Sequence, residues 1–158
     1  MNSFGLHKFS TSCLLFVALI SGCASGGGSQ DSVEIHVSRL VDETTKSESR
    51  QDRAVRDLQA LGSEAVPHIV GYLGDIRPLA NDKITLANDT TNAFEDFRHY
   101  SPDTVHDILS AVLNQLTGQS FVFVYNGASA QEREENRRKW IDWCRTEFPE
   151  KAAFCNGE

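Results

Sequence analysis

The chain has little positive charge, no long apolar run and none of the motifs that commonly mark an active site. Its 15 Lys and Arg stand against 22 Asp and Glu, a formal charge of −7. That balance argues against nucleic acid as a partner and against a domain lying on anionic headgroups, because both require a basic surface. The apolar run Cys13-Leu14-Leu15-Phe16-Val17-Ala18-Leu19-Ile20 falls far short of the roughly 20 residues of a membrane-spanning helix. No HExxH, Gly-rich phosphate loop or Gly-x-Ser-x-Gly elbow occurs. None of His7, His36, His68, His99 and His106 pairs with another histidine at i, i+4. Adjacent on a helix, His106 and Asp107 point to different faces, which weakens an acid–base reading. His99-Tyr100-Ser101 lies at a helix entrance, where a polar cap is the simpler role. No enzyme, cofactor or metal is therefore expected.

The amino-terminal segment is more informative. Met1 to Lys8 gives a short positive start, the apolar run follows, and Leu19-Ile20-Ser21-Gly22-Cys23 opens onto Ala24-Ser25-Gly26-Gly27-Gly28-Ser29. A run of this length suits an export signal. Small residues before a cysteine at this place resemble the lipobox of a bacterial lipoprotein. That resemblance implies a diacylglycerol thioether on Cys23, removal of residues 1–22 and acylation of the new terminus. Two or more acyl chains anchor firmly where one binds only marginally. Ala24 stands where an aspartate commonly signals inner-membrane retention, so a cell-envelope location is expected, on the outer membrane facing the periplasm in a two-membrane host. An ordinary secretory signal and a buried strand are the alternatives, and the Gly/Ser tether argues against both. The expected organisation is a signal at 1–22, lipidated cysteine and flexible tether at 23–32, and one folded domain at 33–158. Loss of Lys8, the one charged residue of the signal, takes the formal charge from −7 to −8.

Helical periodicity dominates the first half of that domain. Val33, Val37, Leu40 and Val41 fall on one apolar face, which the polar stretch Asp42–Asp52 interrupts. A second face carries Ala54, Leu58 and Leu61 and stops at Gly62. Ser63 is the expected N-cap of a helix through Val66, Ile69, Val70 and Leu73, with Pro67 early enough to be tolerated. The short link between these helices predicts an antiparallel hairpin. The stretch Ala54–Leu73, with Ala-Leu-Gly, Ala-Val-Pro and a closing Leu-Gly-Asp, resembles a HEAT repeat. Solenoids of that kind bury their faces against neighbouring repeats, usually three or more, and Asp75 to His99 is not a clean repeat. It holds a candidate strand at Lys83–Ala87 and the polar run Asn88–Asn92.

Ser101-Pro102-Asp103 reads as the start of the next helix, whose stripe Val105, Ile108, Leu109, Val112, Leu113 and Leu116 ends at Thr117-Gly118. Phe121–Tyr125 is β-rich and turns at Asn126-Gly127, so it is the expected partner of the Ile84 strand in a two-stranded ribbon. Ser129-Ala130-Gln131-Glu132 is a capping box for the last helix. On that helix Glu134–Arg138 and Glu135–Lys139 have the favourable i, i+4 order. The segment Leu113–Phe121, with Arg133 and Trp140-Ile141-Asp142-Trp143, is similar to the closing unit of bacterial HEAT-like envelope proteins, with Val122 in place of a glycine. The fold class read from these patterns is mostly α: antiparallel HEAT-like hairpins with a short two-stranded β-ribbon.

With Cys13 lost and Cys23 lipidated, Cys144 and Cys155 remain in a compartment outside the reducing cytosol. A disulfide closing a short terminal loop is favoured, ahead of two buried free thiols and of a metal site. The HEAT resemblance implies protein binding and carries no catalytic residues. A membrane-tethered, non-enzymatic scaffold for an unknown envelope protein is accordingly the expected function. Its candidate contacts are Arg77, Asn88, Asp89, His99, Arg133 and Arg137. A binder of peptidoglycan or another cell-wall component is the alternative, and a small hydrolase centred on His99 or His106 comes third. A pocket lined by Trp140, Tyr125 and His99 would favour these two. Deletion of 77–92, under the scaffold reading, spares folding and abolishes binding.

Overall fold

A computed structural model describes residues 30–88 and 95–156. Cys23, the lipobox and Asp89 lie outside them. Five α-helices and one two-stranded antiparallel sheet make up the fold: α1 (Gln30–Glu43), α2 (Glu48–Ala60), α3 (Val66–Gly71), β1 (Ile84–Ala87), β2 (Phe97–Tyr100), α4 (Val105–Thr117) and α5 (Ala130–Glu147). This is the mostly α chain with a short ribbon that the periodicity predicts.

Val37, Leu40 and Val41 of α1 are buried against Ala54, Val55 and Leu58 of α2. The link at 44–47 is short because the chain turns back at once, which Thr44 fixes by donating its hydroxyl to the Val41 carbonyl at 2.7 Å. The closest helical partner of α2 is thus α1, whereas α3 packs on α4, α5 and the carboxyl-terminal turns. This differs from the hairpin expected between Ala54 and Leu73. The start of α3 differs too. Gly62–Ala65 forms a 3₁₀ turn and α3 begins at Val66, so Ser63 caps nothing and Pro67 sits in the first turn, where its missing N–H costs no bond.

The central helix is α4, buried at every position from Val105 to Asn114. Its N-cap is Thr104 rather than Ser101, because Asp107 reaches back and accepts from the Thr104 amide at 3.2 Å and the Asp103 amide at 3.1 Å. Gly118, at φ +70°, ends the helix in a conformation a side chain would disfavour. The capping box of α5 is as expected, with Glu132 accepting from the Ser129 amide at 2.8 Å. Lys139 pairs with Glu135 at 2.8 Å, while Glu134 lies nearer Arg137 than Arg138, at 3.9 Å.

The ribbon pairs β1 with Phe97–Tyr100, not with Phe121–Tyr125. The physical reason lies in where the second segment spends its groups. Val122 gives its carbonyl to the Asn136 side chain at 2.8 Å, and Phe121 packs edge-on to Trp140 at 4.9 Å. Those anchors hold it as a loop over α5. Ile84 and Leu86 of β1 lie in the core, so deletion of 77–92 takes out core side chains and is expected to damage the fold rather than spare it.

Cys144 and Cys155 are joined, with S–S 2.04 Å and Cα–Cα 6.1 Å. The bridge brings the carboxyl-terminal turns onto the α2–α3 corner, where Phe154 packs on His68 at 4.3 Å between ring centres and Lys151 meets Glu64 at 2.6 Å.

Candidate functional site

The ribbon is mounted on the helices by one buried amide. Gln51 of α2, fully buried, donates to the Asn81 carbonyl at 2.7 Å and accepts from the Asn81 amide at 2.9 Å. This reads a stretch of backbone just as a strand would, and it fixes β1 three residues before it starts. One face of the ribbon, with Ile84, Leu86 and Tyr100, then enters the core. The other, with Thr85, Phe97 and His99, faces outward. Thr85 and His99 are cross-strand partners whose Oγ1 and Nδ1 are 3.0 Å apart.

Among the described residues two clefts flank β2. One, of about 580 Å³, separates the ribbon from α2 and is lined by Glu48, Asp52, Arg56, Lys83, Thr85 and His99. Its lining is charged and of mixed sign. The second, of about 500 Å³, runs between β2 and the 120–126 segment. Here aromatic rings line up: Tyr100 meets Tyr125 edge-on at 5.4 Å, and Tyr125 meets Phe123 at 5.0 Å. Phe123 is 61% exposed although it belongs to that row. Polar groups sit between the rings. Ser120 and Tyr125 hydroxyls are 3.2 Å apart, Gln115 donates to the Tyr100 hydroxyl at 3.3 Å, and Arg98 donates to the Asn114 amide oxygen at 3.4 Å. Burial pushes the Tyr125 hydroxyl above the usual phenol range, so it stays neutral and able to donate.

The residues singled out in the sequence separate into three places. Asn88 and His99 belong to the ribbon: Asn88 donates its side-chain amide to the Glu95 carbonyl at 3.0 Å, closing the ribbon's mouth. Arg77 sits away from it, held by Asp75 at 2.6 Å and Asp42 at 2.7 Å, carboxylates that raise its already high pKa further. Arg133 and Arg137 lie on α5. The Arg133 guanidinium is turned inward onto fully buried Asp107, donating from Nε at 2.8 Å and Nη2 at 2.7 Å. Arg137 is half-buried beside Gly74. Trp140 is fully buried, so the pocket expected from Trp140, Tyr125 and His99 does not form, although Tyr125 and His99 do share the second cleft.

Two buried histidines stand apart from both clefts. His106 donates from Nδ1 to the Leu73 carbonyl, and burial holds its pKa below the usual imidazole range. His68, under Phe154, is depressed in the same way by burial. Their roles are in the core.

Sequence patterns alone did not bring out Phe123, Asn126 and Asn114 as cleft residues. The available signal was an unusual density of aromatics in Phe121–Tyr125 beside a β-turn pair. Among the described residues no cluster of three or more His, Cys, Asp or Glu is arranged to hold a metal ion, and no helix is long and apolar enough to cross a membrane. No protein-family model, curated protein or solved structure matches the chain.

Proposed function

We propose that this chain is a lipid-anchored envelope protein whose helical domain binds a partner protein through the β-ribbon and the aromatic cleft beside it. The lipobox-like Leu19–Cys23 and the Gly/Ser tether support the anchor. The single observation that carries the binding role is a large exposed ring, Phe123, at the end of a row whose other rings, Tyr125 and Tyr100, are buried. Phe123 stays open to solvent next to Tyr125 in a cleft, and Phe97 is exposed on the outer face of the same ribbon. Solvent-exposed aromatics clustered with satisfied polar groups are the composition of protein-binding hot spots. Elsewhere Arg133 and Arg77 are engaged with neighbouring carboxylates, which leaves them less suited to contact a partner. The helical bundle serves as a rigid mount, and the anchor holds the site near the membrane without embedding it.

A second reading draws on the same cleft. Rings alternating with Asn114, Asn126 and Ser120 also suit a cell-wall sugar chain, whose apolar ring faces stack on aromatics. In-cell photo-crosslinking from position 123, in a full-length chain and in a Cys23→Ser control, separates these readings. A protein adduct that depends on Cys23 is expected. A carbohydrate adduct would favour the second reading, and an adduct unchanged by Cys23→Ser would remove the anchor from the mechanism.

A further inference from the structure

We infer that the outer edge of β2 accepts an extended segment of the partner protein as a third strand, resting on the partner-binding reading above. The backbone register defines which groups are offered. The Asn88 amide donates to the Asp96 carbonyl at 2.8 Å, so Asn88 and Asp96 are a hydrogen-bonded pair. In an antiparallel ladder such pairs alternate. Leu86–Arg98 and Ile84–Tyr100 are therefore bonded across the ribbon, and Phe97 and His99 turn their N–H and C=O away from β1. Ser101 has the same parity, and its outward amide donates to Asn126 Oδ1 at 2.8 Å. One rung of the open edge is thus already read by an amide oxygen, as a third strand would read it. Among the described residues the outward amides of Phe97 and His99 have no such acceptor.

The His99 rung opens on the aromatic cleft, whose lining includes Asn126 and Glu95, and the Phe97 rung lies between His99 and Glu95 along the same edge. The facing wall is the Phe121–Tyr125 segment. It has strand-like composition, yet its bond to Asn136 and its packing on Trp140 keep it from closing onto β2. The sheet is left with an edge and a wall rather than a third strand. Sheet edges of this kind are commonly shielded, and one left open among the described residues beside the exposed ring of Phe123 is a template for strand addition. Charge narrows the occupant. Glu95 and Asp96 are exposed at the open end, while Arg98 is turned onto Asn114. The segment that fits is extended, apolar at alternate positions to meet Phe123 and Tyr125, and basic at the end that meets Glu95.

The test uses the mature folded chain and a displayed library of random ten-residue peptides. Selection is expected to return alternating apolar peptides with a terminal Lys or Arg. Binding of the selected peptide is expected to slow hydrogen exchange at the Phe97 and His99 amides. Methylating the peptide's backbone nitrogens at alternate positions leaves the protein untouched: one register should weaken binding at least tenfold and the other should not. On the protein, His99→Pro removes an outward N–H that the ribbon does not use and should also weaken binding tenfold. Failure to select any peptide, or binding indifferent to both methylation registers, overturns strand addition. A protein captured in cells from position 123, with peptides indifferent to methylation, would overturn this inference while leaving the partner-binding reading intact. Absence of any captured protein would remove that reading itself.

Discussion

Replacing Arg133 by Met tests whether a residue that looks like a surface contact in the sequence is instead a structural ion. Its side chain is only 15% exposed, and its partner Asp107 is fully buried. Asp107 accepts two bonds from the guanidinium and two from the Asp103 and Thr104 amides that start α4. The substitution therefore leaves a buried carboxylate with its backbone donors and no countercharge. Breaking a buried pair on one side costs about 3–5 kcal/mol, against at most about 1 kcal/mol for an exposed pair. The Asp107→Asn single variant also loses the pair, and the double variant Asp107→Asn/Arg133→Met is expected to be less damaged than the sum of the two, because each removes the other's reason for being costly. Urea unfolding followed by the fluorescence of buried Trp140 reads this directly. With a slope of about 1.5 kcal/mol/M, the Arg133→Met midpoint should fall by about 2–3 M. A shift below about 0.7 M, or additive single and double variants, would refute the buried-pair account and return Arg133 to the surface.

Gln51→Leu, which keeps the apolar bulk but strands both backbone groups of Asn81, should cost about 2–3 kcal/mol and loosen the ribbon, seen as faster amide exchange at Ile84 and Leu86 with α4 amides unchanged. Reduction of Cys144–Cys155, or the Cys144→Ser/Cys155→Ser variant, should cost about 3 kcal/mol by the loop-entropy relation for a separation of 11 residues; a denaturation midpoint unmoved by reductant would contradict it. Acid should weaken the fold through its histidines. His68 and His106 have folded pKa values below the ordinary 6.5, so their stabilising effect is complete above that value. It is lost as pH falls from about 6.5 toward the depressed folded values, because the unfolded chain takes up protons first. The urea midpoint should therefore drop between pH 7 and 5, and His106→Gln should flatten part of that drop. A midpoint level across this range in the unsubstituted protein would show the reasoning to be wrong.

Much of the fold could be read without coordinates, for reasons visible in particular elements. The α4 stripe and the Ser129–Glu132 box depend on local spacing, and local spacing is all a helix needs. Cys144 and Cys155 could be paired because removal of a signal and lipidation of Cys23 would leave no others. The strand at Ile84 was equally legible, but its partner was not. Both Phe97–Tyr100 and Phe121–Tyr125 are rich in aromatic residues, and only distant contacts of the second, to Asn136 and Trp140, decide between them. The start of α4 was misplaced for a similar reason, since Pro102 is a good first-turn residue and the deciding carboxylate, Asp107, lies inside the helix.

Sequence by itself determined the helical class and the net acidic charge, because each follows from composition or from neighbours within a few residues, and it favoured the disulfide pair over free thiols. Tertiary structure decided which polar residues face solvent. Arg133 and Gln51 have the same chemistry as their exposed neighbours on α5 and α2, and became buried only because helix packing placed Asp107 and Asn81 within reach. It also decided that a β-rich segment would line a cleft instead of closing a sheet, which left the outward rung at His99 facing a row of aromatic rings.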